Sequence, residues 1–82
     1  MLRVEVCVPA INRTYEFVLN DRMPLPVVIE ECAEVISSRE HRMWAGNTDN
    51  LVLCDASSGV TLPREKTLHQ CKVSPGSRLL LV

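Results

Sequence analysis

The stretch Thr67–Val82, "TLHQCKVSPGSRLLLV", decides the fold of this chain because it finishes in the apolar run Leu79–Val82. An apolar strand at the rim of a sheet exposes unpaired backbone groups and invites aggregation, whereas a strand paired on both sides is protected. A central strand also tolerates apolar side chains on both of its faces. The sequence therefore predicts that Leu79–Val82 lies in the middle of a sheet, beside the first strand.

Two segments near the N-terminus alternate apolar and other side chains with the period of two that is typical of half-buried strands. Their apolar positions are Leu2, Val4, Val6 and Val8, followed by Tyr15, Phe17 and Leu19. The connection between them is short and contains the turn formers Pro9 and Asn12. The two segments therefore predict an antiparallel hairpin.

The apolar spacing becomes helical after Pro24 and Pro26. Apolar residues then recur at intervals of three and four, which places them on one face of a helix. They are Leu25, Val28, Ile29, Cys32, Ala33 and Ile36. Proline is tolerated in the first turn of a helix, so the pattern predicts a helix from about Pro26 to Ser38.

The remaining residues predict short strands separated by turns. Residues 38–50 are loop-like, 51–54 form a short strand, 60–62 a brief edge strand and 74–76 a tight turn, with a short helical or 3₁₀ segment from Thr67. The last strand covers 78–82. The resulting order, ββαββ(β), predicts an α+β β-grasp fold over residues 1–82 as a single domain, with one helix packed across a mixed four- to five-stranded sheet.

The charge pattern argues against two classes of partner. Nine basic and ten acidic residues give a net charge of −1, and no basic cluster supports binding to nucleic acid or to an anionic membrane.

No apolar run approaches the roughly 18–20 residues of a membrane span, so no direct membrane insertion is expected. Because residues 1–9 lack the apolar core of a signal peptide, we expect a cytoplasmic protein.

The four cysteines, at positions 7, 32, 54 and 71, could form two disulfides in three different pairings. Each cysteine lies in an apolar segment, and a cytoplasmic protein usually keeps its thiols reduced. The sequence therefore predicts four reduced thiols, most of them packed as small apolar side chains.

The segments "TLHQCKVSPGSRLLLV" and "LVLCDASSGVTL" resemble the closing strands of ubiquitin-like proteins, with anchors at Leu68, Val73, Leu79 and Leu81. Within that superfamily the chain is most similar to the YukD/EsaB proteins of bacterial type VII secretion. That likeness rests on "MPLPVVIEE" at residues 23–31, on the length and on the finish at the last strand. The resemblance implies a non-enzymatic accessory or regulatory role in secretion of WXG-type proteins, with a secretion-system component as protein partner.

The resemblance also implies that the chain is not conjugated. Conjugation of ubiquitin-like proteins uses a flexible tail ending in Gly-Gly, whereas this sequence finishes with Leu80, Leu81 and Val82. The alternative interpretation is a ubiquitin-like adaptor or interaction module of another complex. The sequence leaves the oligomeric state open.

No residue pattern predicts an enzyme or a bound cofactor. The possible catalytic groups are His41, His69 and the cysteines, but Cys71 lies near His69 in a segment that is predicted to turn, without a known motif. The cysteine spacings contain no C-x₂₋₄-C pair, which is the usual structural zinc signature. We therefore expect no catalytic site, no metal and no cofactor.

The sheet face opposite the helix is predicted to bind a protein partner. A solvated antiparallel face is mainly polar, and contiguous exposed apolar area usually marks an interaction site. The predicted partner-binding residues on this face are Cys7, Val18, Val52, Leu80 and Val82. The alternative is that these are scattered exposed aliphatic residues, which are common on protein surfaces. Trp44 is expected to cover one end of the core, or else to anchor a partner.

Overall fold

A computed structural model describes residues 1–40 and 50–82 of the chain. The predictions for His41 and Trp44 lie outside these described residues. The regular elements are the strands β1 (Leu2–Val8), β2 (Arg13–Leu19), β3 (Leu53–Asp55) and β4 (Arg78–Leu81), with the helix α1 (Leu25–Glu40) between β2 and β3.

The four strands form one mixed sheet in the order β2-β1-β4-β3. β1 is antiparallel to β2 and parallel to β4, and β3 is antiparallel to β4. Strand β4 therefore has a partner on each side, which confirms the central position predicted from its apolar sequence. The fold is α+β, with one helix packed on a mixed four-stranded sheet.

The hairpin of β1 and β2 is closed by one turn of 3₁₀ helix at Pro9–Ile11. Asn12 follows it with φ 52°, a left-handed conformation that asparagine tolerates better than most residues. The Asn12 N–H donates a hydrogen bond of 3.1 Å to the Pro9 carbonyl. This turn brings β1 and β2 into an uninterrupted register from Leu2 opposite Leu19 to Val8 opposite Arg13.

Helix α1 is longer than its apolar spacing predicted. It begins at Leu25, because the Pro24 carbonyl accepts hydrogen bonds from the N–H groups of Val27 and Val28. It continues past Ser38 to Glu40, whose carboxylate accepts a hydrogen bond from the Tyr15 hydroxyl of β2. The polar final turn carries no apolar signal, so the sequence pattern ended the helix two residues early.

The predicted strands in the second half of the chain are shifted. β3 covers Leu53–Asp55 rather than 51–54, although Val52 still exchanges two hydrogen bonds with Val82 beyond the ends of the strands. The predicted edge strand at 60–62 forms only an isolated bridge between Cys54 and Thr61. The Asp55 N–H donates to the Val60 carbonyl and the Leu62 N–H donates to the Leu53 carbonyl, and these two hydrogen bonds make up the single bridge.

Residues 67–73 form hydrogen-bonded turns instead of the predicted short helix. The Cys71 N–H donates to the Thr67 carbonyl and the Val73 N–H to the Leu68 carbonyl. Lys72 interrupts any continuation, because its φ of 60° is left-handed. The turns place Leu68 fully inside the core.

The core lies between the sheet and α1. The side chains with the smallest exposure alternate along the strands and recur along one face of the helix, as the sequence predicted. The fully buried ones of largest volume are Leu25, Ile29, Ile36, Leu53, Leu68, Leu79, Leu81, Val4, Val6, Val8, Val28 and Cys32. The face of the sheet that points away from α1 lies outside this core.

Candidate partner-binding face

The face of the sheet opposite α1, called here the outer face, is built by strand alternation. In each strand, every second side chain points into the core and the others point outward. The buried residues of β1 and β4 show which side chains point into the core, since Val4, Val6, Leu79 and Leu81 are inside. The outward side chains are Arg3, Glu5 and Cys7 of β1, Thr14, Glu16 and Val18 of β2, Cys54 of β3, and Arg78 and Leu80 of β4, with Val52 and Val82 next to the strand ends.

An apolar cluster occupies one end of the outer face. Leu80 lies directly between Cys7 of β1 and Cys54 of β3, because both are its register partners. Val52 and Val82 face each other one step further, joined by backbone hydrogen bonds of 2.7 and 3.0 Å. We call Cys7, Val52, Cys54, Leu80 and Val82 the apolar cluster.

The side chains of the apolar cluster are accessible to solvent. Val82 is 48% exposed, while Cys7, Val52, Cys54 and Leu80 are half-buried by their neighbours in the sheet. Four of these five residues were predicted to bind a partner. Cys54 was not among the predicted binding residues, although its alternation with Leu53 does place it on this face in the sequence pattern.

Charged side chains occupy the next row of the outer face. Glu5 and Glu16 are register partners, and each carboxylate has an arginine beside it. The Arg78 Nε lies 3.3 Å from a Glu5 carboxylate oxygen, and the Arg3 Nε lies 3.6 Å from one of Glu16. These exposed ion pairs balance the like charges of the two glutamates and give the apolar cluster a polar border.

Val18 lies apart from the other predicted partner-binding residues. It is 56% exposed and pairs with Arg3, on the far side of the charged row. Val18 lies four residue steps along β2 from Thr14, the register partner of Cys7, a distance of roughly 13 Å along the strand. The structure therefore brings Cys7, Val52, Leu80 and Val82 together and leaves Val18 outside the apolar cluster.

The four cysteines are free thiols in the structure. Cys7 and Cys54 are separated by the width of β4, which puts their Cα atoms about 10 Å apart, beyond the roughly 7 Å limit for a disulfide. Burial raises the pKa of the Cys32 thiol to about 12, so this thiol is inert at neutral pH.

Among the described residues considered for catalysis, His69 and Cys71 have different neighbours. His69 Nδ1 lies 3.8 Å from an Asp21 carboxylate oxygen, whereas Cys71 packs against the core. Within residues 1–40 and 50–82, no three His, Cys, Asp or Glu side chains are grouped so that they could hold a metal ion. In the same residues, no helix has the length and hydropathy needed to cross a bilayer.

Comparison of structures identifies the fold. The chain superposes on the ubiquitin-like domain of EccD5 from Mycobacterium xenopi with a TM-score of 0.78 and 22% identity, covering 99% of this chain and 91% of that one. It superposes on the ubiquitin-like domain of the Mycobacterium tuberculosis type VII secretion system protein EccD1 with a TM-score of 0.70 and 21% identity, covering 100% and 99%. These likenesses show that this chain has a ubiquitin-like fold.

A third solved structure, the MycP5-free ESX-5 inner membrane complex, contains a chain that matches with a TM-score of 0.82 and 21% identity. The match covers 99% of this chain and 20% of that one. No protein-family model matches the sequence. No curated protein matches it either.

Proposed function

We propose that this chain is a non-enzymatic, ubiquitin-like accessory or regulatory protein of a bacterial type VII secretion system, and that it acts by binding another protein. The observation that carries the proposal is the apolar cluster on the outer face. Its five side chains come from three adjacent strands and the residues next to them, so they form one continuous patch. Contiguous apolar surface with a polar border is typical of a protein-binding site.

The likeness to the EccD domains supports the choice of secretion system. EccD1 is a type VII secretion system protein, and the ESX-5 match belongs to an inner membrane complex. The proposed partner is therefore a component of such a complex, contacted from the cytoplasmic side. The stretch Pro24–Val27 supports a protein of the YukD/EsaB kind, with residues 1–82 acting as one domain.

The test replaces a residue of the apolar cluster by aspartate in the organism that carries the gene. We expect Leu80→Asp and Val52→Asp to abolish secretion of WXG-type proteins into the medium, because a desolvated carboxylate opposes docking of an apolar partner surface. Quantitative immunoblots of medium and cells measure the loss. Val35→Asp is the matched control, since Val35 is an exposed aliphatic residue of α1 on the other side of the molecule.

Circular dichroism of the purified variants accompanies the secretion assay. Folded Leu80→Asp protein with unchanged secretion would exclude the apolar cluster from this function. If the folded variant secretes normally but no longer assembles into another protein complex in the cell, the chain is an adaptor outside secretion. Unfolding of both aspartate variants would contradict the outward orientation of Leu80 and Val52.

A further inference from the structure

The two edges of the sheet differ in how their backbone groups are used. At the β3 edge, the Asp55 N–H donates to the Val60 carbonyl and the Leu62 N–H donates to the Leu53 carbonyl, at 2.9 and 2.8 Å. Residues 60–62 thus cover part of that edge. β2, at the opposite edge, has β1 as its only strand partner in the described sheet.

The hydrogen-bond parity of β1 shows which backbone groups of β2 remain free. The Glu5 N–H donates to the Ser77 carbonyl and the Gly76 N–H donates to the Arg3 carbonyl, so these odd-numbered residues of β1 bond toward β4. The even-numbered residues of β1 therefore bond toward β2, where their register partners are odd-numbered. It follows that Thr14, Glu16 and Val18 direct their N–H and C=O groups away from the sheet.

Among residues 1–40 and 50–82, none of these six backbone groups has a hydrogen-bond partner, and the sequence of β2 itself lacks the features that usually protect an edge strand. Natural edge strands are short, bulged, interrupted by proline or rich in lysine. β2 has seven residues in continuous register, with no proline, no lysine and no bulge. Tyr15 and Phe17 add half-buried rings on the helix side of this edge, with centroids 6.3 Å apart.

Pairing of β2 with a second copy of itself is disfavoured by charge. In the antiparallel register that uses all three free residues of each strand, the two-fold axis places Glu16 opposite Glu16 of the second copy. Like charges directly opposite in a sheet are destabilising. A shift by two residues relieves the repulsion but pairs only two of the three residues on each strand.

The geometry points to the free edge of β2 as a binding site for an extended segment of a different polypeptide, added antiparallel as a fifth strand. The segment carries a lysine or arginine opposite Glu16 and apolar side chains above Tyr15 and Phe17. Its main chain satisfies the free groups of Thr14, Glu16 and Val18. This site is separate from the apolar cluster, so it does not depend on the function proposed above.

The test titrates the isotopically labelled full chain with the synthetic peptide acetyl-STVKVTS-amide, followed by amide NMR. Aligned antiparallel, the peptide places its lysine opposite Glu16 and its valines opposite Tyr15 and Phe17. We expect saturable shifts of the Thr14, Glu16 and Val18 amides, together with slower exchange of these amides with solvent. Replacing the peptide lysine by glutamate is expected to weaken binding about fivefold, and Glu16→Lys in the protein is expected to reverse this preference.

Two N-methylated peptides provide a matched pair. A methyl group on the lysine amide removes an N–H that points at β2 and is expected to abolish binding. The same group on the preceding valine amide, which points away from β2, is expected to preserve it. Equal binding of both peptides, or absence of shifts at Thr14, Glu16 and Val18, would overturn the proposal. Concentration-dependent shifts of these amides without peptide would assign the edge to a second copy of the chain.

Discussion

Leu79 and Leu80 are neighbours in β4 with opposite environments. Leu79 is 1% exposed and packs under α1, whereas Leu80 is half-buried at the centre of the apolar cluster. The difference follows from strand alternation, which the sequence already shows. The chemistry of the two side chains is the same, so only their orientation separates a core residue from a candidate binding residue.

Replacing Leu79 by alanine is expected to lower the free energy of unfolding by about 2–5 kcal/mol, because it removes buried methyl groups and leaves a cavity. Leu80→Ala is the matched control and is expected to cost about 1 kcal/mol, mainly through reduced strand propensity. Urea unfolding followed by circular dichroism measures both values. A larger loss for Leu80→Ala than for Leu79→Ala would show that the two faces had been exchanged.

At the residue scale, the sequence predicted which side chains face outward but not how they group. Alternation correctly placed Val18 on the outer face, yet Val18 is separated from Leu80 by the row of Glu5, Glu16 and Arg78. Distance along a face depends on the register between strands, which a single sequence does not determine. Cys7, Val52, Leu80 and Val82 lie together on the outer face, whereas Val18 does not. The role of these residues in binding stays a prediction.

The turn before β4 controls how the central strand enters the sheet. Gly76 has φ 82° and its N–H donates a bond of 2.7 Å to the Arg3 carbonyl at the start of the β1–β4 pairing. A Cβ at Gly76 would have no atom within 4 Å. The space around residue 76 would therefore accept a larger side chain. Only the left-handed backbone conformation favours glycine at this position.

Gly76→Ala is consequently expected to lower the free energy of unfolding by about 1–2 kcal/mol, the typical strain of a left-handed L-residue. D-alanine at the same position, introduced by chemical synthesis, adds the same methyl group without that strain. It is expected to leave stability unchanged or slightly higher. Thermal unfolding of the two proteins compares them directly, and equal destabilisation by both residues would refute the conformational explanation.

Element boundaries were predicted well where apolar spacing continued and poorly where polar contacts decided them. The helix core from Pro26 to Ser38 followed its apolar stripe, but its last turn depends on the contact between Tyr15 and Glu40. β3 extends to Asp55, a poor strand former, because Asp55 pairs with Leu79 of β4. Contacts of this kind link residues that are distant in sequence, so local patterns do not reveal them.

The whole molecule depends on β4, since this strand joins the N-terminal hairpin to β3. The fragment 1–76, which lacks β4, is expected to remain unfolded because β1 and β3 lose their common partner and the core loses Leu79 and Leu81. The amide NMR spectrum of the fragment, compared with that of the full chain, tests this expectation. A well-dispersed spectrum for the fragment would show that the hairpin and helix form a stable core alone.

The parallel pairing of β1 with β4 also has a consequence during biosynthesis. Residues 5–7 find their partners only when residues 78–80 have been made, so the order of translation separates them by most of the chain. At synthesis rates of 5–20 residues per second, about 3 to 12 s pass between completion of β2 at residue 19 and of β4 at residue 81. Throughout that interval, the hairpin and the helix lack the strand that contributes Leu79 and Leu81 to their common core.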